Sequence, residues 1–176
     1  MDKGLLFLLL IGVLAAVAMA LVAVGAWWLE PGQRVARLLR LGLAGAPEVL
    51  STAPARSQGA ALAIDERKLA IVRGPGDTGL VYDLDELIGA ELIFDGSVVA
   101  RASRGEGRRP LDQVAPNVSR VTLRFVFDDP HDPDFEFELY TPGDAGRRDD
   151  QGPDAAVQVA RRWFARLEAV LRRARD

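Results

Sequence analysis

The chain has 176 residues, of which 49% are hydrophobic and 27% charged, and its formal net charge is −3. This length allows one compact domain with one additional element. The absence of cysteine excludes disulfides, thiolate nucleophiles and cysteine-ligated zinc or iron–sulfur centres. Much of the hydrophobic share lies in the first thirty positions, so that segment and the rest of the chain are interpreted separately.

The first segment contains an uncharged run of 26 residues, 4–29. As an α-helix this run would measure about 39 Å, which is enough to cross a hydrocarbon core of about 30 Å. Residues 1–30 are therefore predicted to form a transmembrane helix. The alternative is a signal peptide comprising residues 1–20, cleaved after Ala18-Met19-Ala20, which would leave an exported periplasmic domain. The anchor is favoured because the run is longer than the usual apolar core of a signal peptide.

Basic residues on either side of the run predict its orientation. Lys3 is the only basic residue before the run, whereas three arginines follow it closely. The positive-inside rule therefore places the C-terminal domain in the cytoplasm and the N-terminus outside, in a single-pass protein of the inner membrane. A tryptophan pair at the end of the run suits the headgroup level, where an indole can be half buried. The predicted membrane-interface residues are Trp27, Trp28, Arg34, Arg37 and Arg40.

Residues 31–44 are predicted to form a short basic amphipathic helix beside the membrane. Pro31 suits a first helical turn, and Val35 and Leu39 recur at helical spacing. Two interpretations stay open: a helix lying on anionic headgroups, or a topogenic charge cluster that continues the membrane helix. Residues 45–58 are rich in alanine, proline and serine and are predicted to be a linker.

From residue 59 the pattern changes to short segments at the intervals of an all-β unit. Asp95-Gly96 is a strong hairpin signal, because a positive φ costs little at these two residue types. The last two segments show the clearest alternation of apolar and polar residues. The predicted strands comprise residues 61–64, 69–73, 80–84, the two sides of Asp95-Gly96, 119–127 and 134–140.

A C-terminal helix is predicted over residues 153–175. Its apolar residues recur at helical spacing on one stripe, and its arginines lie mostly off that stripe. The stripe should therefore pack on the sheet. The predicted domain core comprises Phe125, Phe127, Phe135, Phe137, Trp163 and Leu167.

The order of seven strands and a C-terminal helix resembles that of bacterial pleckstrin-homology-like domains. The resemblance covers residues 59–175 and rests on the progression GAALAIDERKLAIV, VYDLDELIGAELIFDG, SRVTLRFVF and ARRWFARLEAV. It implies an α+β, mainly β fold: a seven-stranded PH-like barrel or sandwich, capped by the C-terminal helix, over residues 59–176. With the N-terminal transmembrane helix, this is the expected architecture. The resemblance carries no catalytic signature and implies a fold rather than an activity. The long basic loop at 104–117 departs from the family pattern.

Few residues have the types and spacing that catalysis or metal binding requires. The single histidine, His131, lies in DDPHDPD, which does not match an EF-hand and is typical of a solvated turn. Glu136 and Glu138 share a strand face, opposite Val126 and Arg124, and cross-strand charge pairing explains them better than a catalytic carboxylate pair. The glycines of RGPGDTG lack the lysine and the helix of a phosphate-binding loop. We therefore predict a protein that is not an enzyme, with no catalytic residues, no metal site and no cofactor.

The charge distribution indicates which classes of partner are disfavoured. Residues 45–152 carry 12 basic and 20 acidic residues, a net charge of −8, whereas residues 153–176 carry 6 and 3, a net charge of +3. An acidic body disfavours nucleic acid and weakens binding to anionic lipid. A small-molecule ligand is not expected.

Protein interaction is the leading functional hypothesis. The domain would be an accessory or scaffold subunit of a membrane complex, with the lipid bilayer and other membrane-protein subunits as partners. Binding of anionic lipid headgroups is the alternative. The residues that would contact an anion are Arg67, Lys68, Arg101, Arg104, Arg108 and Arg109.

Overall fold

The structure is a computed structural model that describes residues 4, 11–21, 31–105, 109–110, 118–144 and 152–173. After a helical stretch at 11–21, its elements are two helices, two 3₁₀ turns and nine strands within the described residues. The helices are α1 (Pro31–Leu41) and α2 (Gly152–Arg173), and the 3₁₀ turns are Pro54–Arg56 and Pro142–Asp144. The strands are β1 (Val49–Ala53), β2 (Gln58–Ala63), β3 (Lys68–Val72), β4 (Leu80–Asp83), β5 (Leu87–Phe94), β6 (Ser97–Ser103), β7 (Arg109–Pro110), β8 (Val121–Phe127) and β9 (Asp134–Tyr140).

The predicted transmembrane helix over residues 1–30 is not borne out. In the part of the chain that the structure describes, no helix is both long enough and apolar enough to cross a bilayer. Residues 1–3, 5–10 and 22–30, which include Trp27 and Trp28, lie outside the described residues. The prediction of a single-pass protein of the inner membrane is therefore wrong.

The nine described strands form two antiparallel sheets instead of the predicted seven-stranded PH-like barrel or sandwich. The first sheet has the order β1-β2-β3-β4, and the second has the order β7-β6-β5-β8-β9. The two strands that the sequence did not predict are β1, inside the presumed linker 45–58, and β7, inside the presumed loop 104–117. The VLSTA sequence of β1 has no clear alternation of apolar and polar residues, which is why the pattern failed to identify it.

The hairpin predicted at Asp95-Gly96 is present and connects β5 to β6. Phe94 and Ser97 are partners across the turn, and Asp95 and Gly96 have φ values of 49° and 83°. Asp95 also accepts hydrogen bonds from Ser119 N and Oγ and from Arg120 N, which join this turn to the start of β8. The turn therefore aligns three strands of the second sheet.

The main core lies between the two sheets and α2. Phe125 lies among other aromatic side chains: its ring stacks on Phe127 and Phe135 and meets Trp163 edge-on, with centroids 5.9 Å apart. Edge-on and offset stacking are the arrangements that aromatic rings prefer. The helix predicted for 153–175 is observed as α2, and its apolar stripe faces this core. The predicted core residues Phe125, Phe127, Phe135, Phe137, Trp163 and Leu167 are all buried.

A second, smaller core lies on the opposite face of the first sheet, beneath α1. Val35 and Leu39 of α1 cluster there with Ala61, Ala70 and Val72. A position on lipid headgroups was one of the two open interpretations of this helix, and its apolar face is instead occupied by the protein's own sheet. The exposed residues of α1 include the predicted interface residues Arg34, Arg37 and Arg40.

Gly59 of β2 packs directly against side chains of α1. A Cβ atom at this position would be 2.5 Å from Val35 Cγ1 and 3.1 Å from Ser51 O. We expect Gly59→Ala to displace α1 and to lower the free energy of unfolding by about 1–3 kcal/mol, measured by urea denaturation. Gly89→Ala is the matched control, because its nearest contact would lie at 3.4 Å. An equal loss in both variants would contradict the steric explanation.

Candidate binding cleft

A cleft of about 740 Å³ lies between the first sheet, the second sheet and α2. One long wall is β1, an outermost strand of its sheet, and the other is α2. The turn Pro54–Arg56 and the end of β9 close one end. This volume falls within the range of about 300–1,000 Å³ that is usual for ligand sites.

The inner surface of the cleft, called its floor below, is apolar, and a tryptophan holds its two sides together. Val49, Ala53 and Ala156 line it beside Trp163. The Trp163 side chain is fully buried, and its Nε1–H donates to Ser51 Oγ at 2.9 Å. This bond connects the middle of β1 to the middle of α2 and thereby fixes the distance between the two long walls.

Arg56 connects three residues at the closed end of the cleft. Its guanidinium forms ion pairs with Glu138 of β9 and with Asp144 of the second 3₁₀ turn, and it donates to Thr141 Oγ1. Thr141 N also donates to Asp144 Oδ2 at 3.0 Å. Burial alone would raise the pKa of Asp144, but the hydrogen bonds from Arg56 and Thr141 outweigh it and hold this pKa below its usual value.

The lowered pKa of Asp144 predicts a loss of stability in acid. The ordinary pKa of an aspartate in an unfolded chain is about 3.9. Since the folded value lies lower, this carboxylate stabilises the fold fully above the unfolded pKa, and the contribution disappears as the pH falls through the folded pKa. Asp144→Asn should therefore cost about 1–2 kcal/mol at pH 7 and progressively less below about pH 4, measured by urea denaturation. A difference that is constant down to pH 3 would contradict this explanation.

The helix wall of the cleft is basic. Arg162 and Arg166 are one turn apart on α2, and both line the cleft. Within the described ranges neither forms an ion pair, and the hydrogen bond of Arg162 is to the carbonyl of Gln158. Both guanidinium groups therefore lie at the cleft without a close ion pair in the described residues, although the charge of Arg166 also acts on Glu48 at the rim.

Glu48 lies at the rim of the cleft and is held by the backbone. Its carboxylate accepts hydrogen bonds from Ile64 N at 2.7 Å and from Asp65 N at 3.4 Å. Burial raises the pKa of Glu48, but these backbone bonds and the nearby charge of Arg166 together lower it. Glu48 is thus an ionised side chain that supports the β2–β3 turn.

The basic residues predicted to contact an anion do not line this cleft where the structure describes them. Each of them that the structure describes is engaged elsewhere in the domain, whereas Arg108 and the side chain of Arg109 lie outside the described residues. Arg67 pairs with Asp85, Lys68 with Asp83 and Arg101 with Glu91, each at 2.6 Å, and Arg104 donates to the carbonyls of Leu84 and Leu87.

The charged residues of the last hairpin pair across strands, in a different register from the predicted one. Glu136 lies opposite Arg124 and forms an ion pair with it, whereas Glu138 lies opposite Thr122. The turn is centred on Pro130 instead of His131, and this displaces the pairs from Thr122 to Val126 by two residues.

His131 is exposed, and its backbone N–H donates to Asp129 Oδ1 at 2.9 Å, as in an ordinary Asx turn. No group of three histidine or acidic side chains in the described part of the chain is arranged to hold a metal ion.

Comparison of the chain with known protein families, with curated proteins and with solved structures finds no match. Membership of the pleckstrin-homology-like family therefore stays a prediction. The function has to be inferred from the cleft and from the charges around it.

Proposed function

We propose that the protein is a non-catalytic interaction module that holds a segment of a partner protein in the cleft between β1 and α2. One observation supports this proposal: the cleft combines an apolar floor with two arginines that have no ion-pair partner in the described residues. Surfaces of this kind, with an apolar centre and a charged rim, are typical of protein interfaces.

The side chains of the cleft favour binding over catalysis. The described residues that line it include neither histidine nor cysteine. The hydroxyl of Ser51 accepts its hydrogen bond from an indole N–H, which cannot take up a proton and so cannot activate a nucleophile. Glu48 and Asp144 are held by backbone N–H groups and by Arg56, respectively. Headgroup binding is less favoured, since the four of its predicted residues whose side chains the structure describes are engaged in internal contacts.

The proposal can be tested with the affinity-tagged full-length protein, purified from its own host cells. Val159→Trp places an indole in the cleft, because Val159 is a half-buried residue of its helix wall. Ala165→Trp is the matched control, since Ala165 is exposed on the same helix and does not line the cleft. We expect a partner protein at near-stoichiometric amounts with the wild type and the control, and roughly tenfold less with Val159→Trp.

Two outcomes would contradict the proposal. One is recovery of the wild-type protein alone. The other is an equal amount of partner with both tryptophan variants, after circular dichroism has shown that both are folded.

A further inference from the structure

The long wall of the cleft is a sheet edge. In the described residues β1 pairs only with β2, from Val49 opposite Leu62 to Ala53 opposite Gln58. All five residues of β1 also line the cleft. An outermost strand has one row of N–H and C=O groups that its own sheet does not use, and such a row can pair with a strand from another chain.

The dimensions of the cleft suit an extended segment. Five residues of β1 measure about 17 Å, and the facing part of α2, residues 156–166, measures about 16 Å. The two walls therefore have matching lengths, which suit an extended segment of about five residues lying along β1.

The charge of the cleft indicates an acidic partner. Arg162 and Arg166 lie on the helix wall without a close ion pair in the described residues, whereas Arg56 is already paired with Glu138 and Asp144. The acidic residues of the described lining, Glu48 and Asp144, already accept hydrogen bonds from the domain itself. Charges at such a rim determine which partner is selected and how fast it associates.

The floor and the helix wall indicate which types of side chain alternate along the partner segment. In an extended segment successive side chains point to opposite faces. Those that face the floor would contact Val49, Ala53 and Ala156, where the two small alanines leave room for an apolar side chain. Those next to them would lie near Arg162 and Arg166.

We infer that the cleft binds an extended, acidic polypeptide segment, which adds to β1 as a fifth strand of the first sheet. Its apolar side chains alternate with acidic ones, so that the former face the floor and the latter face the two arginines. This inference rests on the proposed function, since it specifies how the same cleft holds its partner.

The first experiment selects peptides from a displayed library of random linear sequences on the immobilised full-length protein. The wild type should enrich peptides in which acidic residues alternate with apolar ones. A synthetic peptide chosen in this way should bind the double variant Arg162→Glu/Arg166→Glu roughly tenfold more weakly, measured by fluorescence anisotropy. The matched control is Arg161→Glu/Arg173→Glu, which makes the same charge change at two exposed positions of the same helix outside the cleft. The affinity of this control for the peptide should stay within about twofold of the wild-type value.

The second experiment tests strand pairing directly. Methylating the backbone nitrogen of every second residue of the selected peptide, one at a time, should weaken binding roughly tenfold in one of the two alternating sets. The other set should change affinity by less than about threefold. Indifference to methylation at every position, or full affinity for the charge-reversed double variant, would overturn the inference.

Failure of the inference can be distinguished from failure of the proposed function. If Val159→Trp removes the partner from the purified protein but no acidic peptide is enriched, the cleft is a binding site and strand addition is wrong. If Val159→Trp removes no partner and no peptide binds, both are wrong.

Discussion

Replacing Trp163 with alanine should lower the free energy of unfolding by about 3–5 kcal/mol. The side chain is fully buried, its ring meets Phe125 edge-on, and its N–H is bonded to Ser51. Removing it leaves a large cavity between α2 and both sheets. Since domains of this size are stable by about 5–15 kcal/mol, this loss is a large fraction of the total stability.

A series of substitutions separates packing from hydrogen bonding at this position. Trp163→Phe keeps most of the ring volume and loses the bond to Ser51, so we expect a loss of about 1–2 kcal/mol. Ser51→Ala removes the acceptor alone and should cost about 1 kcal/mol. Arg162→Ala, at the adjacent exposed position, is the control and should stay within about 0.5 kcal/mol. Urea denaturation followed by circular dichroism measures all four, and a loss below 1 kcal/mol for Trp163→Ala would show that α2 does not pack as described.

Replacing Glu91 with alanine should cost about 2–3 kcal/mol. This carboxylate is buried in the middle of β5, and it bonds Arg101 of β6 at 2.6 Å and Arg124 of β8 at 3.1 Å. Its side chain is 8% exposed, whereas those of the two arginines are 51% and 33% exposed. Because the arginines retain access to water, the expected cost lies below that of breaking a fully buried ion pair.

A double-mutant cycle tests whether the effect comes from the ion pairs. Glu91→Leu combined with Arg101→Met replaces one pair with apolar side chains, and it should recover part of the stability that Glu91→Leu alone loses. The coupling energy should be about 1 kcal/mol or more, measured by urea denaturation. Strictly additive losses would contradict the assigned ion pair, because residues that do not interact show no coupling.

The second sheet was largely predictable because one of its faces is buried and the other is exposed to solvent. Alternation in β8 and β9 identified Phe125 and Phe137 as core residues, and the Asp95-Gly96 turn marked the β5–β6 hairpin. The register of the β8–β9 hairpin was not predictable, since the turn between Asp129 and Asp134 offers several centres with nearly equal local propensity.

The first sheet and the cleft could not be derived from local patterns. Residues 60–63 and 69–72 are buried on both faces, so their sequences are continuously apolar and do not reveal that a helix covers one side. Ser51 was assigned to a linker, although it meets a residue 112 positions away. Arg56 meets a partner 88 positions away. Contacts over such distances in sequence leave no periodic signal in the residues themselves.

The packing of α1 on the first sheet sets the limits of the smallest piece of this protein that can fold on its own. A chain shortened to begin at residue 45, where a linker was expected, would leave Ala61, Ala63, Ala70 and Val72 uncovered on a twisted apolar sheet. Such an exposed apolar surface promotes association with other copies of the fragment. Any excised fragment used for binding or structural work should therefore begin at or before Pro31, and a fragment that starts later should be recovered mainly as aggregate.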